Sequence, residues 1–395
     1  MAERLDRNSY RYLEINQEKI ENVKRIKWRF FQNLQTYLRV MYKMKISINT
    51  RLLREKYHTG IQSYISNLYE SVKLIDKNNE YIFLKGQSEN NRLTNAIYNN
   101  FLVRNEIKKA KADIFHATNS ILPLGPKVCH YVSTIYDMGF KSIPRWSPKT
   151  ELAYYDFAFK NIVQKADLIV AISSFTKNEI KKYYKIDGSR LAVVPLGIDN
   201  FYLKKETDSY LDEIRNKYNL VNQKTIFINS AHSNRKNTDS IIKVFTENHD
   251  YFKDKCLVIC GAVGKTTFQN LLSSRDNNII LTGYVPKKEL RALYQIVDVF
   301  IYPSLYEGFG LPLLEAMASN CPILASNIPP VREIISNKDL LFDPLDLKEI
   351  YEKIKNCLNL EVEEKHALLD SYKSILERFT WSRAAEKMIN IFNLF

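Results

Sequence analysis

The sequence predicts an α/β protein of two doubly wound, Rossmann-like domains facing each other across a cleft, behind an N-terminal helical extension. Three observations predict it. Short apolar runs alternate with amphipathic stretches from residue 44 onward, the pattern of a parallel sheet covered by helices on both faces. The alternation breaks at the polar, charged stretch 196–224 and then restarts, which places a domain change near residue 200. A chain of 395 residues has the length for two or three domains.

The extension, residues 1–43, carries ten Lys/Arg and five Asp/Glu. Val23, Ile26, Phe30, Leu34, Leu38 and Met41 recur every three or four residues, so it reads as a basic amphipathic helix. Trp28 and Phe31 stand beside the charges. Such a helix lies readily in an anionic membrane surface, which makes residues 19–43 a candidate membrane contact. Packing on the protein body or on a second copy is the alternative.

The first domain, 44–200, opens with a strand at Lys45–Thr50 and a helix from Thr59 to about Lys73. Strands follow at Tyr81–Leu84, Asp113–His116 and Val128–Ile135. Glu151–Lys165 is helical, Leu168–Ile172 a strand, Thr176–Tyr184 a helix and Leu191–Pro195 a strand. Thr176 and Glu179 fit a capping box, and Ser173 reads as a cap before a catalyst. The second domain, 201–378, starts with a short helix around Tyr210–Lys217. Strands are expected at Thr225–Asn229, Cys256–Cys260, Ile279–Leu281, Val299–Tyr302 and Pro322–Ser326. Helices are expected at Thr238–Thr246, Thr267–Leu272, Lys287–Ile296, Leu313–Ser319, Pro330–Ser336, Asp346–Leu358 and Glu364–Ile375. The segment 379–395 ends the chain with an amphipathic helix, Trp381 to about Phe392.

Composition narrows the partners. Lys and Arg total 58 against 44 acidic residues, a net charge of +14, which favours anionic ligands: nucleotide phosphates, acidic lipid or nucleic acid. The chain shows no nucleic-acid recognition module. Its five cysteines lack zinc-ligand spacing, and no metal site is expected. The odd cysteine count, the absence of a signal peptide and of an apolar run of about 18 residues lead us to expect a cytoplasmic protein.

The chemistry concentrates at Tyr302-Pro-Ser-Leu-Tyr-Glu307-Gly308-Phe309-Gly310-Leu311-Pro312-Leu-Leu-Glu315. It reads as a strand, a Gly-containing loop and a helix N-terminus. Free amides at a helix start make an anion site, and glycine lets a ligand approach the backbone. Glu307 and Glu315 bracket that site. This layout resembles the E-x7-E motif of retaining GT-B glycosyltransferases, specifically glycosyltransferase family four, and the resemblance covers roughly residues 44–395.

The resemblance implies that Glu315 hydrogen-bonds the ribose diol of a nucleotide and that Glu307 holds hydroxyls of the donor sugar. It implies that the amides of Phe309, Gly310 and Leu311 face sugar and phosphate oxygens. Arg235 and Lys236, in Ala231-His-Ser-Asn-Arg-Lys-Asn237, resemble the family's clamp on the diphosphate leaving group. Positive side chains there offset the charge that develops as the glycosidic bond breaks. The loop Gly283-Tyr284-Val285 resembles the one that cups the base. Gly60 and Ile61 resemble the first-domain loop that approaches donor phosphates and acceptor.

Where the family commonly has His-Asp beside the reacting sugar, this chain has Tyr136-Asp137. His116 ends a neighbouring strand, either at the cleft or as a structural histidine. The turn Gly261-Ala-Val-Gly264-Lys265 has two residues between its glycines where a phosphate-wrapping P-loop has four.

The resemblance further implies that the last helix crosses back to the first domain. It implies a metal-independent hexosyl transfer from a GDP- or UDP-linked sugar to a hydroxyl of a glycan or lipid-linked acceptor, with no cofactor. The cytoplasmic face of a membrane is the expected place. A catalytically silent homologue serving as a partner subunit and a sugar-nucleotide epimerase are the other readings.

Overall fold

The computed structural model describes residues 43–54, 60–86, 91–146, 148–229, 234–261 and 278–395. The expected extension up to residue 42, the helix Thr267–Leu272 and most of the Gly261–Lys265 turn lie outside the described residues.

Among the described residues, twelve short strands form two parallel six-stranded sheets. In the first, β1 (Lys45–Asn49), β2 (Glu80–Leu84), β3 (Ile114–Ala117), β4 (His130–Ile135), β5 (Leu168–Ala171) and β6 (Leu191–Val193) stand in the order β2-β1-β3-β4-β5-β6. In the second, β7 (Lys224–Asn229), β8 (Lys255–Cys260), β9 (Ile279–Gly283), β10 (Val299–Tyr302), β11 (Ile323–Ser326) and β12 (Leu341–Phe342) stand in the order β12-β11-β10-β7-β8-β9. Each order reverses once, between β1 and β3 and between β7 and β10. Open α/β sheets bind ligands at those reversals, beyond the strands' C-terminal ends.

The inner strands are apolar because helices cover both of their faces. All six residues of β8, including Cys256 and Cys260, are buried. The third buried cysteine, Cys321, sits just before β11, and none of the five is paired.

The final helix, Trp381–Phe392, does cross back. Trp381 meets Tyr64 edge-on at 6.1 Å, and Phe392 packs against Tyr81 and His116 of the first sheet. The chain therefore spans the two halves twice. At the crossing, Ile198 N donates to Phe379 O over 2.8 Å. A Cβ on Gly197 would stand 2.2 Å from Trp381 N, so only glycine fits there.

Three expectations change. The helix at Thr176 starts earlier, at Ser174, and its cap is Ser173, whose hydroxyl accepts from Thr176 N at 3.0 Å. Glu179 is therefore no capping-box partner; it is buried and bonded elsewhere. A helical stretch, 92–109, runs between β2 and β3 with a π-turn over Tyr98–Leu102. Its Asn-rich, irregular pattern gives no clean helical period. The two-residue β12 is too short to carry an alternation.

Candidate active site

The loop after β10 leads into the helix Leu311–Ala318, with Gly310 as its cap residue and Pro312 at its start. Proline suits that position because its missing N–H would have no helical partner. The amides of Phe309, Gly310 and Leu311 donate to no acceptor among the described residues. Phe309 itself is buried against Phe379, ring centroids 5.5 Å apart, which fixes the loop.

Glu307 is buried at the end of that loop. Lys236 Nζ lies 2.7 Å from its Oε1, and Arg235 Nη1 lies 3.4 Å from its Oε2. Burial alone would raise this carboxyl, but the Lys236 and Arg235 charges outweigh it and hold it below the usual range. Lys236 also sits 5.3 Å over the ring of Tyr302. Leu305 N donates to Arg235 O at 2.7 Å, so the turn Asn234–Lys236 and the β10 loop move as one piece. Arg235 reaches across to the first domain as well, 3.8 Å from Asp137 Oδ2. Desolvation pulls Arg235 down, while Glu307 and Asp137 more than restore its charge.

Glu315, one helical turn on, lies among Tyr202, Tyr294, Asp199 and Lys287. Tyr294 Oη is 3.5 Å from its Oε2. Here burial wins: desolvation pushes the carboxyl up to about 7, against the pull of Lys287 and the Tyr202 hydrogen bond. It opens on a narrow cavity shared by both halves, lined by Ser63, Asn67, Asp199, Lys287 and Trp381.

The loop expected to cup the base sits at the end of β9. Gly283 has φ +66°, Tyr284 is exposed and Val285 is buried. Gly60 begins the helix Gly60–Ile75, and among the described residues no atom lies within 4 Å of where its Cβ would be. Ile61 follows, half-buried.

Tyr136 is half-buried, and its hydroxyl donates to Thr118 O at 2.6 Å. Its carbonyl accepts from Thr176 Oγ1 at 3.2 Å. Gly308 is pressed onto that carbonyl, since a Cβ there would lie 1.9 Å from Tyr136 O. His116 points away from the cleft. Its ring bonds Tyr69 and, at 2.7 Å, Thr134, and burial pulls it down to about 3, so it is a neutral structural histidine.

Several residues here carry no local signal in the sequence. Glu333 of the second domain accepts from Ser174 N at 2.9 Å and Phe175 N at 2.6 Å, capping a first-domain helix from across the cleft. Tyr202, Tyr294 and Lys287 frame Glu315. These contacts depend on chain segments far apart, which no local pattern records.

Two family models match the chain: Glycosyltransferase Family 4 over residues 79–200 and Glycosyl transferases group 1 over residues 211–373. Among similar proteins is the O-antigen chain mannosyltransferase B of Escherichia coli, 26% identical over 296 residues, 73% of this chain and 76% of that one. The serotype-specific mannosyltransferase WbdA of Escherichia coli is 27% identical over 241 residues, 58% of this chain but 29% of that longer protein. Similar solved structures include the lipopolysaccharide-biosynthesis glycosyltransferase WaaG, with TM-score 0.67 at 16% identity over 88% of this chain and 99% of that one. Anabaena HepE in complex with UDP and glucose gives TM-score 0.68 at 15% identity over 89% of this chain and all of that one. Both halves of the fold and both halves of the cleft thus fall within matched regions, and the chain belongs to the GT-B glycosyltransferases of family 4, the group 1 glycosyl transferases.

Proposed function

We propose that this glycosyltransferase moves a hexose, mannose-like or glucose-like, from a GDP- or UDP-linked donor to a hydroxyl of a glycan or lipid-linked acceptor. The reaction retains anomeric configuration and serves surface polysaccharide assembly at the cytoplasmic face of a membrane. The observation that carries the reading is the pair of carboxyls flanking one amide-lined loop, Glu307 buried before it and Glu315 half-buried in the helix that follows. Glu307 stands among cations and Glu315 among hydroxyls. The mannosyltransferase names of the relatives support the sugar class and the setting.

In this reading Glu315 accepts from the ribose diol and Glu307 from donor-sugar hydroxyls. Arg235, Lys236 and the amides at Phe309–Leu311 take the diphosphate as it leaves, without calling on a metal. The departing phosphate oxygen takes the acceptor's proton, so the acceptor oxygen bonds the anomeric carbon on the face the phosphate leaves. Closing the halves excludes water and limits donor hydrolysis.

A second reading, a silent homologue acting as a partner subunit, is favoured by one observation: the hydroxyl and carbonyl of Tyr136 both have protein partners. Turnover separates the two. The purified chain is incubated with GDP-mannose or UDP-glucose and an oligosaccharide acceptor, and the product's anomeric proton is read by NMR. A product with the donor's configuration supports the proposal, and an inverted product overturns retention. Donor binding with no product on any of a panel of free and lipid-linked acceptors favours the silent homologue.

A further inference from the structure

Tyr306, immediately before Glu307, leaves its own domain. Its side chain enters a socket in the first domain made by Met138, Gly139, Phe175 and Glu179. The hydroxyl donates to Glu179 Oε2 at 2.5 Å and accepts from Met138 N at 2.9 Å. The ring meets Phe175 edge-on at 5.7 Å and fills the space beside Gly139, where a Cβ would stand 3.4 Å from Tyr306 Cε1. Tyr306 and Glu179 are 7% and 8% exposed. The socket is braced in turn. Ser142 Oγ donates to Glu179 Oε1 at 2.6 Å and lies 3.0 Å from Tyr183 Oη. On the far side of Glu307, Gly308 is pressed on Tyr136 O, and the Thr176 hydroxyl stands between the two carbonyls, 3.2 Å from Tyr136 O and 3.4 Å from Gly308 O.

Glu307 thus sits between two residues that are both seated on the opposite domain. A carboxylate held on its own loop needs neither neighbour to reach across. We propose that Tyr306 and Glu179 are positioning residues: a peg and socket that set Glu307 against the donor sugar when the two halves close. Glu179 suits the socket because a buried carboxylate must find hydrogen-bond donors, and Ser142 and Tyr306 donate one to each of its two oxygens. When the halves separate, Tyr306 leaves Glu179 and the Glu307 loop loses its external support. The loop's sugar-holding geometry is therefore coupled to closure. None of the socket residues lines the cavity at Glu315, so a nucleotide held there needs no contact with the socket.

This inference rests on the donor-site reading above, and one experiment distinguishes their failures. Affinities for UDP, UDP-glucose, GDP and GDP-mannose are measured by calorimetry, with turnover alongside, on wild type, Tyr306→Phe and Glu179→Gln. Both variants preserve shape, and their circular dichroism and melting confirm folding. A misplaced sugar contact costs on the order of tenfold to a hundredfold in turnover. We expect that loss in both variants, together with loss of the extra affinity the sugar gives over the bare nucleotide. Affinity for the bare nucleotide should stay within about twofold, because neither substituted residue lines the cavity at Glu315. Unchanged turnover and sugar increment in both variants overturn the peg and socket. So does an equal loss of affinity for nucleotide and nucleotide sugar, which marks a merely structural role. A wild type that binds none of the four ligands overturns the donor-site reading, and the inference with it.

Discussion

Lys236 Nζ stands 2.7 Å from Glu307 Oε1, with both side chains largely out of water. Each charge makes the other's burial tolerable. Removing one partner strands the other, which typically costs about 3–5 kcal/mol for a buried pair. Lys236→Met should therefore lower unfolding stability by about 3 kcal/mol, since Arg235 at 3.4 Å offsets part of the loss. Adding Glu307→Gln to Lys236→Met should recover part of that. Urea denaturation of the two single variants and the double variant checks it. Additive losses would mean the two residues act separately.

Glu315 makes the free protein's stability depend on pH. Its carboxyl rises from the usual 4.5 to about 7 on folding, so the folded state holds the proton more tightly. The resulting stabilisation is fully present below about pH 4.5 and is lost as pH rises through about 7. Over that span it amounts to about 3 kcal/mol. Glu315→Gln stays neutral throughout. The melting temperature of wild type should therefore fall relative to the variant as pH goes from 4.5 to 7 and run parallel above. Nucleotide binding near pH 6 should release protons if the ribose is held by the carboxylate, which calorimetry in buffers of different ionisation enthalpy detects.

Gly308 tests how closely the halves meet. A methyl group there would lie 1.9 Å from Tyr136 O, and backbone cannot swing aside as a long side chain can. Gly308→Ala should hold the cleft apart, raise the radius of gyration by small-angle scattering and cut turnover by on the order of a hundredfold. An unchanged radius and rate would show that the loop yields.

The C-terminal helix is an integral part of the first domain's core. Phe392 is fully buried against Tyr81 and His116. Phe392→Ala should cost about 3–5 kcal/mol, the usual figure for emptying an aromatic core site. Denaturant unfolding of the variant measures it. A cost under about 1 kcal/mol would show that the helix rides on the surface.

The strands of the second sheet were legible because their residues are apolar on both faces. Val299–Tyr302 and Lys287–Ile296 match their expected bounds, and Thr225–Asn229 and Cys256–Cys260 gain one residue each. The Glu307–Glu315 loop was legible because glycine and proline punctuate it. The 92–109 helix was not, since Tyr98, Asn99 and Asn100 interrupt its apolar period and are buried by a π-turn instead. Thr176 and Glu179 have capping spacing, yet Glu179 turns inward because Tyr306 and Ser142 offer it hydrogen bonds. The contacts of Tyr306, Glu333 and Gly308 across the cleft are products of how two domains meet. Local sequence encodes the residues but not their partners.

The donor site is tested most directly by thermal shift of wild type and Glu315→Ala against UDP, GDP, ADP, CMP and their sugars. A ligand at about 100 times its dissociation constant adds about 2.7 kcal/mol to the stability of the folded chain. GDP or UDP and its sugar should stabilise wild type by that order and leave Glu315→Ala unmoved. If no nucleotide at millimolar concentration shifts the folded wild type, or if the variant responds equally, Glu315 does not hold a nucleotide and the assignment of the site is wrong.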